Sequence, residues 1–490
     1  MSYIGRQLNL PASTVELTAE GAITAGKACI IEADGDVAQI SGTDFAQLFG
    51  TETTFESAET VYIDCCYVST ANKFVISYAD QPNSVYGTAV VCTPAANGTM
   101  SFGTPVVFES DYTNWTTITY DSNADKVLIS YQGNGIGKSI VGTVSGTSIS
   151  FGSADTFESG NAREIDSCFD STNNKAVIVY DDASDSHKGK AVAATISGTS
   201  VSHSSPVEFE AGYTRFPSCE YDSANDKVLV VYRDNDNSSY GTATVIYVNS
   251  GSISVGSTEV FLSSAIMQFT AICYSTVASK FAIAYSKNSD SGDGETRVAT
   301  ISGTGVSFGT AVEFTTGNIS ELHGCDLTYD VGADKINYFY QDGADSGNGI
   351  VRQGTLTGTD LGSFSTAAKW ESSGIVSHIA ASYDTTLNIS LVAYKNHANS
   401  NYGTANLVRP VAFNITNLTS ENFIGFAEND CTDNGLATIQ LGGSVNDKQT
   451  SLTAGQTYYV QTDGTIGTTA ASPSVTAGTA VSATEILVKG

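Results

Sequence analysis

Tyr120-Asp-Ser-Asn-Ala-Asp-Lys-Val-Leu-Ile-Ser-Tyr131 is an aromatic residue, a polar turn and an alternating apolar run that ends on tyrosine. The same aromatic followed eleven residues later by tyrosine recurs at Tyr67/Tyr78, Phe169/Tyr180, Tyr221/Tyr232, Tyr274/Tyr285, Tyr329/Tyr340 and Tyr383/Tyr394. Seven copies, 49 to 55 residues apart, make an internal repeat of the length that four short strands need. Within each period a first strand ends at the aromatic, and a second alternates up to the tyrosine. A glycine (Gly87, Gly137, Gly189, Gly241, Gly294, Gly349, Gly403) opens a third, and a Ser-Gly-Thr-like turn (Gly98, Gly146, Gly198, Gly251, Gly303, Gly358) leads to a fourth. At both sets of positions we expect glycine for the positive φ of tight turns.

The fourth strand ends on an aromatic residue at Phe108, Phe157, Phe209, Phe261, Phe314 and Trp370, and a seventh copy, Phe55, precedes the first repeat. The last repeat, up to Val411, lacks a fourth strand of its own. The reading is therefore an all-β chain: a seven-bladed β-propeller over 36–413, in which the N-terminal strand around Phe55 completes the last blade beside Tyr402 to Leu407 and leaves no free edge. Ile23-Thr-Ala-Gly-Lys-Ala-Cys-Ile-Ile-Glu-Ala-Asp-Gly-Asp parallels Leu452-Thr-Ala-Gly-Gln-Thr-Tyr-Tyr-Val-Gln-Thr-Asp-Gly-Thr. On that likeness, 1–35 and 414–490 are expected to form one small β module from both chain ends.

Composition bounds the function. Lys and Arg total 22 against 51 Asp and Glu, a formal charge of -29, so phosphate backbones and anionic bilayers are repelled and nucleic acid is not an expected partner. No run reaches the roughly 18 apolar residues of a membrane helix, and Met1 to Pro11 has no signal-peptide pattern, so we expect no membrane insertion and folding in a cytoplasm. Nine cysteines have neither Cys-x-x-Cys spacing nor zinc-finger partners. Cys65, Cys66, Cys168, Cys219, Cys273 and Cys325 recur near one place in the repeat and read as small buried thiols.

Candidate chemistry is sparse. Asp64, Asp166 and Asp326 stand three residues before the first-strand aromatic of their repeats, where carboxylates of propeller glycosidases also lie, and Arg163 and Arg215 nearby suit an anionic sugar. The same position elsewhere holds Thr117, Ser218, Ala271 and Ala380, and no Ser-x-Asp-x-Gly-x-Thr-Trp box is present. A structural or solvated role for these aspartates is the simpler reading, with no catalytic residue assigned. Loops such as Asp234-Asn-Asp-Asn-Ser-Ser and Asp181-Asp-Ala-Ser-Asp offer oxygens for weak calcium binding but lack a full EF-hand pattern, so no cofactor and no metal residue is assigned. The loops before the first strands vary most and carry Tyr112, Trp115, Arg163, Tyr213, Arg215, Phe216, His323 and His378. Aromatic residues and arginines carry most recognition energy at interfaces, which makes this set the candidate ligand-binding face. A plug over the top of a central channel is the competing reading.

Asn422-Phe-Ile-Gly-Phe-Ala, Leu452-Thr-Ala-Gly-Gln-Thr-Tyr-Tyr-Val-Gln-Thr-Asp-Gly and Ala477-Gly-Thr-Ala-Val-Ser-Ala-Thr-Glu-Ile-Leu-Val-Lys-Gly resemble the end module of virion structural proteins from marine tailed bacteriophages. Met1-Ser-Tyr-Ile-Gly-Arg resembles the start of many phage tail-fibre proteins. The resemblance covers about a fifth of the chain and carries no catalytic motif. It implies a virion surface protein made in the host cytoplasm: a fibre, a head or tail decoration, or a host-attachment protein. Its partners would be other virion proteins, copies of itself, and a host cell-surface glycan or protein. A glycan-degrading propeller of a phage appendage is the alternative.

Overall fold

The computed structural model describes residues 14–288, 292–319, 324–471 and 473–489. Strands dominate, and a short 3-10 turn spans Gly343–Asp345. No helix of the described residues is long and apolar enough to cross a membrane. The chain divides into two compact units, one of residues 1–46 and 412–490, the other of residues 47–411.

In the terminal unit, Thr14–Glu20, Val37–Gln39, Ala28–Ile31, Phe423–Ala427 and Leu436–Gln440 close a small five-stranded barrel. A second sheet joins Val445–Asn446, Ile486–Val488, Val475–Ala480, Thr457–Val460 and Ile466–Gly467. The two similar sequence stretches thus become one hairpin in each sheet, turning at Gly35 (φ +94°) and Gly464 (φ +76°). Ala28, Ile30 and Phe426 of the barrel share a buried cluster with Tyr458, Val460 and Val488 of the second sheet. The unit boundary differs from the expected one, because 36–46 belongs here. Gly42–Phe45 pairs with Phe413–Thr416, and Phe45 stacks on Phe413 at 5.1 Å. Gly42 is needed in this pairing because a Cβ there would lie 2.3 Å from the Thr462 carbonyl oxygen.

In the larger unit each repeat pairs its strands in sequence order. In the second repeat, for example, Val106–Asp121, Lys126–Gly133, Ile136–Ser145 and Asp155–Glu158 lie side by side. In the last repeat Val376–Asp384, Ile389–Asn396 and Tyr402–Arg409 are followed by the N-terminal Thr53–Val68, with Gly403 opposite Glu56 and Thr404 opposite Thr54. The second strands are buried on both faces, which is why they read as continuous Val/Leu/Ile/Ala runs. Each junction between consecutive repeats has its own apolar cluster. Val75 and Val91 of the first repeat meet Val127 and Ile129 of the second, and Phe74 and Ile76 of the first meet Leu391 and Leu407 of the last.

One packing unit repeats at every junction. The fourth-strand aromatic lies against the second-strand tyrosine of the next repeat, from Trp370–Tyr394 at 4.7 Å to Phe55–Tyr78 at 5.3 Å. The residue after the aromatic is often glutamate, and the tyrosine hydroxyl donates to it, as Tyr78 does to Glu56 (2.9 Å) and Tyr232 to Glu210 (2.8 Å). The third-strand glycines serve this unit and not a turn. None of the seven has positive φ; each lies under the aromatic ring, where a Cβ would come within 2.4 Å of Phe108 at Gly87 and 2.5 Å of Phe55 at Gly403. Positive φ is confined to the second set, for example Gly146 at +62°.

Candidate functional site: a collar around an inner cavity

The first strands of all seven repeats line one cavity of about 440 Å³ inside the larger unit. Just before the cavity, six of these strands slip register against their neighbours, at Val61/Asp64, Asn114/Thr117, Arg163/Asp166, Arg215/Ser218, Met267/Thr270 and Ser377/Ala380. A bulge inserts one residue and re-aims the side chains around it. In five of the six the inserted residue is bulky and left-handed: Tyr62 (φ 50°), Trp115 (52°), Glu164 (47°), Phe216 (51°) and His378 (50°). L-residues with large side chains avoid this region, at a cost of about 1–3 kcal/mol each, so the surroundings must hold them there.

Hydrogen bonds between neighbouring repeats provide that hold. The Glu164 carboxylate accepts from the Arg215 Nε and from the Phe216 backbone N–H, both at 2.6 Å. His378 Nδ1 accepts from the Tyr62 N–H at 3.2 Å, which fixes that nitrogen as unprotonated. Thr116 and Thr270 donate their hydroxyls to the carbonyls of Tyr62 and Phe216. The result is a collar of rings: Tyr62 lies 4.7 Å from Trp115 and 5.6 Å from His378. Arg215 and Arg233 stand over Phe216, and Arg163 stands over Trp115.

Below the collar lie four carboxyl groups. Asp64 accepts from the N–H of Cys65 and of Ile118, Asp166 from Ser167 and Cys219, and Asp326 from Leu327 and Ala381, all at 2.7–2.8 Å. Each aspartate so bridges its own first strand to that of the next repeat. Glu220, the fourth, accepts from the Tyr221 N–H. Burial pushes their pKa values up, to about 7 for Asp64, 6 for Asp166, 8 for Asp326 and 7 for Glu220; the backbone N–H bonds oppose it, and repulsion from neighbouring carboxylates adds to it at Asp64, Asp326 and Glu220. The thiols of Cys65, Cys66 and Cys219 in the same wall are pushed far up by burial and stay protonated, unlike reactive cysteines.

Of the residues singled out from sequence, Trp115, Phe216 and His378 come together in the collar, with Arg163 and Arg215 against its rings. They are strand residues at bulges and not loop residues. His378 is only 7% exposed. Tyr112, 52% exposed, lies three residues before Trp115 in the same strand, whereas Tyr213 stacks on His187 at 4.2 Å. His323 lies outside the described residues. Tyr62, Glu164 and Glu220 were missed. The signal available for the first two was a slip in apolar alternation when the seven first strands are aligned on their terminal aromatics. In the Asp-rich loops the carboxylates serve local turns: Asp234 Oδ1 accepts from the N–H of Asp236 and Asn237, and Asp182 pairs with Lys190 at 2.6 Å. Among the described residues no group of three or more His, Cys, Asp or Glu is arranged to hold a metal.

No protein-family model and no curated protein matches the sequence. Among solved structures, the chain is similar to the β-propeller domain of Cps50 (Swd1) from Myceliophteria thermophila at 10% identity and a TM-score of 0.46, over 75% of this chain and 98% of that one. It is also similar to AofleA from Arthrobotrys oligospora at 7% identity and a TM-score of 0.39, over 81% of this chain and 98% of that one. A mutant of AofleA gives 9% identity and a TM-score of 0.41 over the same shares.

Proposed function

We propose that residues 47–411 form a seven-bladed β-propeller closed by the strand Thr53–Val68, and that its collar binds a glycan on a host cell surface without cleaving it. In this reading the chain is a bacteriophage virion surface protein, and the terminal unit holds it to the particle or to copies of itself. Closure draws support from the pairing of Thr53–Val68 with Tyr402–Arg409 and from the apolar cluster between first and last repeats. The phage setting rests on the resemblance of the chain ends. Binding rests on one observation above all: five bulky residues at equivalent bulges are held left-handed, and four of them, Tyr62, Trp115, Glu164 and Phe216, line one cavity. Strain of this kind gathers at ligand sites because folding alone selects against it.

The alternative, a glycan-cleaving propeller, draws on cavity carboxyls poised near neutral pH. Against it stands their hydrogen bonding: each aspartate spends both oxygens on backbone N–H groups that tie neighbouring strands together. We expect the purified protein to bind host surface polysaccharide and release no reducing ends from it. Sugar release that Asp326→Asn abolishes would replace binding with catalysis. Phage carrying a version cut after residue 411 should assemble particles without it, and normal incorporation would reject the anchoring role.

A further inference from the structure

Six arginines lie among the described residues, and five of them donate hydrogen bonds. Arg215 reaches Glu164, Arg233 the Met267 carbonyl, Arg297 the Gly309 carbonyl, Arg352 the Phe314 carbonyl and Arg409 the Asn388 carbonyl. Arg163 donates none and has no ion pair; its guanidinium stands over Trp115, 6.0 Å from the ring centroid. Carboxylates are at hand, yet occupied. Glu164, its chain neighbour, is taken by Arg215 and the Phe216 N–H. Asp181, opposite it in the strand pairing, is taken by His187 Nδ1 at 3.0 Å to both oxygens. In a chain of net charge -29, a half-buried guanidinium with its donor fork unused is the exception.

Resting on the reading of the collar as a glycan site, we propose that Arg163 receives the carboxylate of an acidic sugar, a hexuronate or similar residue, whose ring lies on the aromatic faces beside it. Trp115 and Tyr62 provide those faces in the collar, and Tyr112 is half-exposed in the same strand as Trp115. Arg163 stands over Trp115 on one side and opposite Asp181 in the strand pairing on the other. A guanidinium fork matches a carboxylate in a bidentate pair, and the aromatic rings suit the C–H face of a sugar. The protein's overall negative charge repels densely charged polymers, so the ligand is an acidic residue spaced by neutral sugars and not a polyphosphate or heavily sulfated chain.

Titration calorimetry with a short oligosaccharide of alternating neutral hexose and hexuronate, and with its carboxyl-reduced form, tests this. We expect the acid form to bind about tenfold more tightly or better, the margin of one charge-assisted pair. Arg163→Gln should erase that margin, so that both forms bind with equal affinity. Its melting temperature should hold, since Arg163 makes no hydrogen bond. Arg163→Lys should restore only part of the margin, because a point charge does not reproduce the fork. Equal affinity of the wild-type protein for both forms, or an unaltered margin in Arg163→Gln, overturns the proposal. If the reduced form then still binds and Trp115→Gly abolishes that binding, the collar reading survives without the charge. If no sugar binds while host attachment continues independently of Trp115, the collar reading falls too. Equal binding of a Glu-containing peptide would overturn the sugar assignment.

Discussion

Trp115 shows how a residue can cost backbone energy and still be kept. Its φ of 52° is one that glycine adopts freely and tryptophan does not. Trp115→Gly therefore removes the ring and the strain together. Relief of about 1–2 kcal/mol offsets part of the lost packing, so we expect a melting temperature within a few degrees of wild type. Glycan binding should drop by about 1–3 kcal/mol, the range of interface anchors. A large fall in melting temperature with normal binding would make the collar a plug. Glu164→Ala should behave in the opposite way. It strips the Phe216 N–H and Arg215 of their acceptor and leaves a guanidinium part-buried without its carboxylate, at a cost of about 2 kcal/mol or more by urea denaturation. The sequence reading reached Trp115, Phe216, His378 and both arginines by residue type, but treated Arg215 as equivalent to Arg163. Nothing in the sequence reveals that Glu164 engages one and ignores the other, because that choice is made across 51 residues by the bulge at Arg163/Asp166.

At the scale of the strand, the repeat was legible because its packing unit is written in residue types: an aromatic, a tyrosine and a glycine at fixed offsets. The physical role of the third-strand glycine was not legible, since a turn and a close approach both call for glycine. A substitution series separates the two. At Gly403 a Cβ meets the Phe55 ring at 2.5 Å, whereas at Gly146 it meets open space and only the φ of +62° resists it. We expect Gly403→Ala to cost about 2–3 kcal/mol through overpacking, and Gly146→Ala about 1 kcal/mol through backbone strain. Gly403→Ala combined with Phe55→Leu should recover part of the loss, while Gly146→Ala with Phe55→Leu should simply add. Additivity in both pairs would mean that the ring over Gly403 is not what selects glycine there. Deleting 47–57 removes Phe55 and Glu56 from the last repeat, and denaturation should then lose cooperativity and midpoint together, because the Tyr402–Arg409 edge is exposed.

For the molecule as a whole, charge sets how stability depends on pH. The formal charge is -29, and Asp64, Asp166, Asp326 and Glu220 gather where the first strands converge. Unfolded carboxyls titrate near 4, about 3.9 for Asp and 4.3 for Glu, while these four titrate at about 6 to 8 in the folded chain. Between those limits the native state binds more protons than the unfolded state, so stability falls as pH rises. The contribution is fully present below about pH 4 and is lost progressively through pH 8. Global repulsion acts in the same direction, since raising pH adds negative charge to an already anionic chain. We expect the melting temperature to be several degrees higher at pH 5.5 than at pH 8.5. Two further measurements divide the causes. Raised salt screens the surface repulsion but reaches the buried carboxyls much less, so part of the slope should persist in 0.5 M NaCl, where screening lengths are only about 4 Å. Asp326→Asn keeps an acceptor for a strand-bridging N–H without a charge, and should flatten the curve between pH 6 and 8.5 and leave its acid end in place. A melting temperature that is level, or that rises, from pH 5.5 to 8.5 would mean that the cavity is well hydrated and its carboxyls ionise as they do in water.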